Sequence, residues 1–354
     1  MSETDHQHIH QIDGLRGLAA VSVAFGFHMF FLFGVRFTGP LDGLPVLSWL
    51  YDHGWTMVDL FFVISGFVFS HVYLQAGALR PGTTARSFVA ARIARLYPLH
   101  LVTLVLVIPP IAAGAAGVRV AENSDLGQFV LNLLLLQASD LEAGYSFNVV
   151  SWSISVEMLC YLLFFAAART GSRAFTLLAA LAILAGIALS TLGTESGWHI
   201  GRGLSGFFAG HFAWRLRHRK IPAALLLTGT VLPVAFAPAA LSYGQFLGVT
   251  AFPAAVLLAL KLPVLSTRPF RWLGARSYSI YLWHPVIYFA LRGYIPDFEL
   301  VRDAHPALLV AVAFATVLIV SDLSYRWFET PMRHWLRARL AGRPSRAGLA
   351  AQSA

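Results

Sequence analysis

Val58-Asp-Leu-Phe-Phe-Val-Ile-Ser-Gly-Phe-Val-Phe-Ser-His-Val-Tyr-Leu74 is a seventeen-residue run with a single acidic side chain, Asp59, at its start. A helix rises about 1.5 Å per residue, so this run comes close to crossing roughly 30 Å of hydrocarbon, with a little thinning or interfacial extension. Leu15–Val35 precedes it with the same character, and Tyr97–Ala116 and Val149–Ala168 follow. Six more apolar runs cover Ala174–Leu192, Ile200–Trp214, Pro222–Ala237, Leu241–Leu260, Ser277–Leu291 and Pro306–Trp327. The composition agrees: of 354 residues, 57% are hydrophobic and 12% charged, and the mean hydropathy is +0.66. A soluble domain carries about a quarter charged residues. The expectation is an all-α integral membrane protein with about ten transmembrane helices.

The net charge of +9 raises the question of nucleic acid, and its placement answers against it. With the N-terminus inside, 21 of the 26 basic residues fall in cytoplasmic gaps, at the inner ends of the first and last spans (Arg16, Arg326) or in the C-terminal tail. The exceptions are Arg36, Arg119, Arg202, Arg292 and Arg302. This is the asymmetry that orients a polytopic chain, and it places both termini in the cytoplasm. Phe129–Gln137 is too short for a span, and counting it as one would invert every later gap; a segment dipping into the outer leaflet is expected there. Residues 1–335 read as one transmembrane domain and 336–354 as a basic, disordered cytoplasmic tail. The acidic, histidine-containing N-terminus lacks the basic start and cleavage site of a signal peptide. The single cysteine, Cys160, excludes an intrachain disulfide and a multi-cysteine metal site, and no metal is expected.

Charge is costly in hydrocarbon, so ionisable residues within spans are candidates for function. They are His28, Asp59, Glu157, His211, His284 and Asp322, with Arg16, Arg92, Arg95, Arg326 and Glu329 at the inner boundary. A neutral imidazole at His28 suits general-base chemistry; packing against a neighbouring helix is the alternative. Arg92-Ile-Ala-Arg95 puts two guanidinium groups on one helical face, a match for phosphate oxygens or a plain positive-inside anchor. In Ser151-Trp-Ser-Ile-Ser-Val-Glu157, Ser153 and Glu157 share a face and suggest a cavity wall on the outer side, where Trp152 is either a stacking surface for a sugar or a belt anchor. No GxSxG, HExxH or P-loop pattern occurs.

Taken together, six segments resemble the acyltransferase-3 family of bacterial membrane O-acyltransferases. They are Ile12-Asp-Gly-Leu-Arg-Gly-Leu-Ala-Ala20 with His28, Val58–Gly66, Ala91-Arg-Ile-Ala-Arg-Leu-Tyr-Pro98, Ser151–Glu157, Ser277-Tyr-Ser-Ile-Tyr-Leu-Trp-His284 and Tyr325-Arg-Trp-Phe-Glu-Thr-Pro-Met-Arg333. The resemblance implies an inner-membrane enzyme moving an acyl group, commonly acetyl, from cytoplasmic acyl-CoA to a carbohydrate such as O-antigen, exopolysaccharide or peptidoglycan. Acyl-CoA is then a co-substrate, and no cofactor is held permanently. By the same resemblance His28, Arg16 and Glu329 are catalytic, and Arg92 and Arg95 sit near the coenzyme A phosphates. Asp59, Trp152, Ser153, Glu157 and His284 fill acceptor-side or structural positions. The rival class is a glycan or lipid-linked sugar transporter or flippase, which needs no coenzyme A.

One departure stands out. The family pattern has ten residues between the arginine and the histidine, and here eleven separate Arg16 from His28. In a regular helix one extra residue turns His28 by about 100°. A π-bulge at Phe25-Gly26-Phe27 would restore its direction. The topology has its own check: a cysteine replacing Arg346 stays unlabelled by an impermeant maleimide in intact cells and reacts after permeabilisation.

Overall fold

Backbone polar groups cannot stay open in hydrocarbon, so a chain this apolar has to close its hydrogen bonds within helices. The computed structural model describes residues 9–34, 44–116, 118–139, 141, 144–236 and 242–341. Helix α1 (His10–Ser22) runs through a π turn (Val23–Phe27) into α2 (His28–Phe31). Then come α3 (Pro45–His53), α4 (Met57–Tyr73), a two-stranded hairpin of β1 (Leu74–Gln75) and β2 (Ala78–Leu79), α5 (Ala85–Leu106) and α6 (Ile108–Ala112). Short α7 (Val118–Glu122) and α8 (Leu126–Leu133) lead to α9 (Trp152–Ala168), α10 (Ser172–Ser190), α11 (Glu195–Leu216) and α12 (Ala223–Ala235). The chain closes with α13 (Tyr243–Val249), α14 (Ala251–Ala259), α15 (Arg268–Tyr294), α16 (Phe298–Ala304), α17 (Pro306–Ser324), a second π turn (Tyr325–Glu329) and α18 (Thr330–Ala341).

Among the described residues, six helical segments are long and apolar enough to cross a membrane: 10–31, 45–73, 85–112, 149–168, 172–190 and 306–340. The other four expected runs differ for physical reasons. Within α11 lie Glu195, Arg202 and Arg215, and within α15 lie Arg268, Arg271, Arg276 and Arg292. Helix α12 has only 13 residues, and the run expected over 241–260 is broken at Thr250 between α13 and α14. The segment 129–137 takes in the second half of α8, an eight-residue helix too short to cross, and the turns that follow it. Helix α18 continues past 335 to Ala341, so the start of the expected disordered tail is helical; residues 342–354, with Arg343 and Arg346, lie outside the described residues.

Two close helix pairs set the frame. Gly14 and Gly17 bring α1 against the Leu265 carbonyl and Leu273-Gly274, where an added methyl would overlap backbone. Gly66 of α4 meets the Phe207 backbone of α11, and Gly210 meets Val63. Small residues at such seams let helix backbones approach closely, the usual source of packing energy where lipid tails are as apolar as leucine. The α4–α11 seam also holds a buried ion pair. Arg202 Nε and Nη2 donate to Asp59 Oδ1 and Oδ2 at 2.9 and 2.6 Å, with the two side chains 2% and 0% exposed.

Removing one partner of such a pair strands a charge and costs about 3–5 kcal/mol, whereas replacing both by apolar residues costs little. Asp59→Asn should therefore lower the thermal midpoint of the detergent-solubilised protein sharply, and Asp59→Leu with Arg202→Met should recover most of the loss. An unchanged midpoint in Asp59→Asn would remove the pair from the account of stability.

Candidate active site

The π turn at Val23–Phe27 includes the expected Phe25-Gly26-Phe27 position. The His28 N–H reaches back five residues to the Val23 carbonyl, and Gly26 lets the widened turn lie against the Leu50 backbone. The extra residue is thereby absorbed, and the His28 ring faces a protein partner. His28 Nδ1 lies 2.9 Å from His284 Nε2, with the rings stacked 5.0 Å apart. His284 Nδ1 lies 3.1 Å from the Ile280 carbonyl, one turn back in α15. A carbonyl only accepts, so His284 Nδ1 carries the hydrogen and its Nε2 is an acceptor. His28 Nδ1 then donates to it, and the network assigns the tautomer in which His28 Nε2 holds a lone pair.

His28 lines a chamber of about 520 Å³ together with Phe27, Trp152, Trp198, Arg202 and Tyr281. Arg202 forms its floor. The guanidinium carbon sits 4.8, 5.2 and 4.2 Å from the ring centres of Trp55, Trp152 and Trp198, where a cation is attracted to the aromatic faces. His199 stacks on Trp152 at 4.1 Å. By spacing, Arg202 reads as an outer-side basic residue; the structure buries it. Two signals point to it in hindsight. It falls inside the apolar run Ile200–Trp214, and Asp59 in another span requires a cationic partner.

The remaining candidates form a second cluster. Arg16, Arg92, Arg95, Ser153, Glu157 and Tyr161 line a central cavity of about 120 Å³. Arg16 donates to Asp13 at 2.9 Å, Ser277 at 3.0 Å and the Gly274 carbonyl at 3.1 Å. Arg92 donates to the Tyr73 hydroxyl at 3.0 Å and lies over the Phe69 ring. Glu329, carried by the second π turn and 2% exposed, stands 3.7 Å from Arg95 and accepts from Ser279 at 2.7 Å. Arg326, at similar depth in sequence, pairs with Asp322 instead. Glu157 accepts from Ser65 and, at 2.5 Å, from Tyr161.

The structure therefore divides the expected site residues. His28 and Trp152 line one chamber, with His284 bonded to His28 and Asp59 paired with Arg202 in its wall. Arg16, Arg92, Arg95 and Glu329 gather at the other cluster, about 18 Å away along the helix that carries both Arg16 and His28. Glu157 belongs to the arginine cluster rather than to the outer side where its spacing from Ser153 puts it, because four residues of helix carry it about 6 Å deeper. Ser153 stands at the junction: its Oγ lies 2.9 Å from the Tyr281 hydroxyl, and Tyr281 and Val58 line both cavities. On the other side, Arg16 and Arg95 open into a basin of about 760 Å³ that also takes in Arg268, Arg271 and Arg333. These three read in sequence as orientation signals; tertiary packing turns them toward one basin.

An acyltransferase domain model, that of the acyltransferase-3 family, matches residues 9–326. The chain belongs to the acyltransferase-3 family. It is 31% identical over 371 residues to BcsY of Komagataeibacter xylinus, assigned as a membrane-bound transacylase, covering 96% of this chain and 86% of that protein. It is 25% identical over 377 residues to the peptidoglycan O-acetyltransferase OatA of Listeria monocytogenes, covering 92% of this chain and 56% of the relative. YrhL of Bacillus subtilis, assigned to the same activity, is 26% identical over 377 residues, covering 93% and 55%. The chain thus spans just over half the length of the last two. No solved structure matches it. The protein is an acyltransferase and a multi-pass membrane protein.

In this acyltransferase-3 protein, His284→Phe keeps an aromatic ring against His28 and removes its hydrogen-bond acceptor. A positioned base contributes about 10²–10⁴-fold, so the variant should lose at least 100-fold in kcat while the apparent KM for the acyl donor and the gel-filtration profile stay unchanged. A rate within twofold of the parent would reduce His284 to packing.

Proposed function

We propose that the protein transfers an acyl group, with acetyl as the first choice, from acyl-CoA to a hydroxyl of a carbohydrate at the bacterial inner membrane. The observation that carries this reading is the row of three cavities. The arginine basin and the central cavity share Arg16 and Arg95 in their walls, and the central cavity and the His28 chamber share Val58 and Tyr281. Guanidinium groups suit the phosphates of coenzyme A, and the narrow centre suits a pantetheine arm reaching toward His28. Ten membrane-crossing segments with both termini cytoplasmic fit this arrangement, since the basin then faces the compartment that supplies acyl-CoA.

In the chemistry, the acceptor oxygen bonds to the thioester carbonyl carbon while its proton passes to His28 Nε2. The C–S bond then breaks, and His28 passes that proton to the departing coenzyme A thiolate. An acyl-histidine route would use the same nitrogen as nucleophile. The tetrahedral oxyanion needs a donor; Ser155 lines an apolar groove and Arg16 lies in the arginine cluster, so the junction hydroxyls of Ser153 and Tyr281 supply it. Tyr281 and Ser153 both reach the Val150 carbonyl, at 2.9 and 3.2 Å. One hydroxyl satisfies that carbonyl, and the other can turn its hydrogen toward the developing charge. The carbohydrate acceptor rests on the indole-rich chamber and on the names of the relatives, which favour a cell-surface glycan.

Purified protein with labelled acetyl-CoA tests the reading. His28→Ala should abolish transfer to acceptor while the protein remains in the membrane. Arg92→Ala and Arg95→Ala should each raise the KM for acetyl-CoA about 10- to 100-fold, as expected for loss of a charged hydrogen bond. Full activity in His28→Ala would end the proposal.

A further inference from the structure

One face of α11 runs from the buried floor of the His28 chamber to its open rim. Glu195, Trp198 and Arg202 stand at i, i+3 and i+7 in that helix, a spacing that puts all three on the same side, and all three line the chamber. Seven residues of rise set Glu195 about 10 Å from Arg202 along the axis. Arg202 is 2% exposed, whereas Glu195 is open to solvent.

The ionisable groups in the chamber wall are unequally engaged. Arg202 is committed to Asp59, His28 to His284, Tyr281 to Ser153, and Tyr145 to His199 Nε2 at 3.2 Å. Among the described residues, Glu195 is the one such group in the wall with no hydrogen-bond or ion-pair partner. Capping does not explain its place at the start of α11, because the Thr194 side chain already accepts from the Gly197 N–H at 3.0 Å. The helix dipole at this end favours the ionised carboxylate. Its charge is felt inside the chamber: burial chiefly, opposed by Arg202 and reinforced by Glu195, holds the Tyr145 hydroxyl above the usual tyrosine range. A ligand there meets indole rings, a neutral imidazole nitrogen, a neutralised ion pair and one negative charge. A carboxylate accepts from sugar hydroxyls and pairs with an ammonium group. A second carboxylate a few ångströms away is repelled, by an amount worth about tenfold or more in affinity near a protein surface.

We propose that Glu195 is the specificity residue of the acceptor site: it accepts hydrogen bonds from an uncharged or ammonium-bearing sugar and rejects a sugar that carries a carboxylate or phosphate. The inference rests on the carbohydrate reading above and adds to it the charge of the unit that is acylated.

Three methyl β-glycosides that differ chiefly in charge test it: the glucosaminide, the glucoside and the glucuronide. Each is titrated into protein in nanodiscs of zwitterionic lipid, at a mildly acid pH that keeps the amine protonated, with affinities read by calorimetry and ligand-observed NMR. The parent should bind the glucuronide about tenfold or more less tightly than the glucoside, and the glucosaminide at least as tightly as the glucoside. Glu195→Gln should bring the three affinities within about threefold of one another, and Glu195→Lys should place the glucuronide first. Because the side chain is exposed, both variants should keep the parent's thermal midpoint. The readout is a ratio between glycosides, which a general loss of structure does not reorder. Equal affinities or a glucuronide preference in the parent, or an order that neither variant changes, would overturn the role of Glu195 and leave the carbohydrate reading standing. No binding of any glycoside would overturn both. Labelled acetyl transfer in the same preparation reads the reaction separately, and the expected charge order without transfer would overturn the proposed reaction alone.

Discussion

The pair formed by Asp59 and Arg202 is the constraint on which the chamber depends. Neither charge is tolerable alone at 0% and 2% exposure, so α4 and α11 have to meet in the one register that lets both carboxylate oxygens face the guanidinium. That register brings Trp55, in the turn before α4, Trp198, one turn before Arg202 in α11, and Trp152 of α9 to the same cation. The result is a rigid aromatic floor below His28. The charges are spent on each other, so the floor presents indole and dipole to a ligand and no net charge.

Much of this was legible in the residues, and the gaps have identifiable causes. His28 and Asp59 could be selected because a charge-poor chain leaves few ionisable groups in its spans. The bulge at Val23–Phe27 follows from counting residues, since an inserted residue must either rotate the histidine away or widen one turn. Arg202 was hidden by the positive-inside rule itself, which treats any arginine near the edge of an apolar run as a loop marker. Arg268, Arg271 and Arg333 were hidden for a related reason: orientation rules record which side a cation lies on, and only packing decides that α15 and α18 aim theirs at one basin. The uneven spans tell the same story. Helices α11 and α15 are less apolar than the other long helices because they carry polar groups that line the cavities.

The two π turns have parallel uses. One carries His28 to His284, and the other carries Glu329 toward Arg95. A π turn displaces one residue out of helical register without breaking the helix, which allows a membrane-spanning segment to keep its backbone bonds closed while a functional side chain is re-aimed. Pattern matching on fixed spacing misses such sites unless the spacing is allowed to vary by one.

The burial of Arg202 also separates the two ends of the path in their response to ionic strength. The basin arginines stand at an open mouth, where mobile ions screen charges beyond a Debye length of about 8 Å at physiological salt. The field of those arginines weakens as salt rises. Asp59 and Arg202 are beyond the reach of counterions, so the field under the histidine chamber is set by the fold and stays constant. An enzyme built this way confines its response to salt to its exposed charges and keeps the electrostatics beneath its histidine fixed.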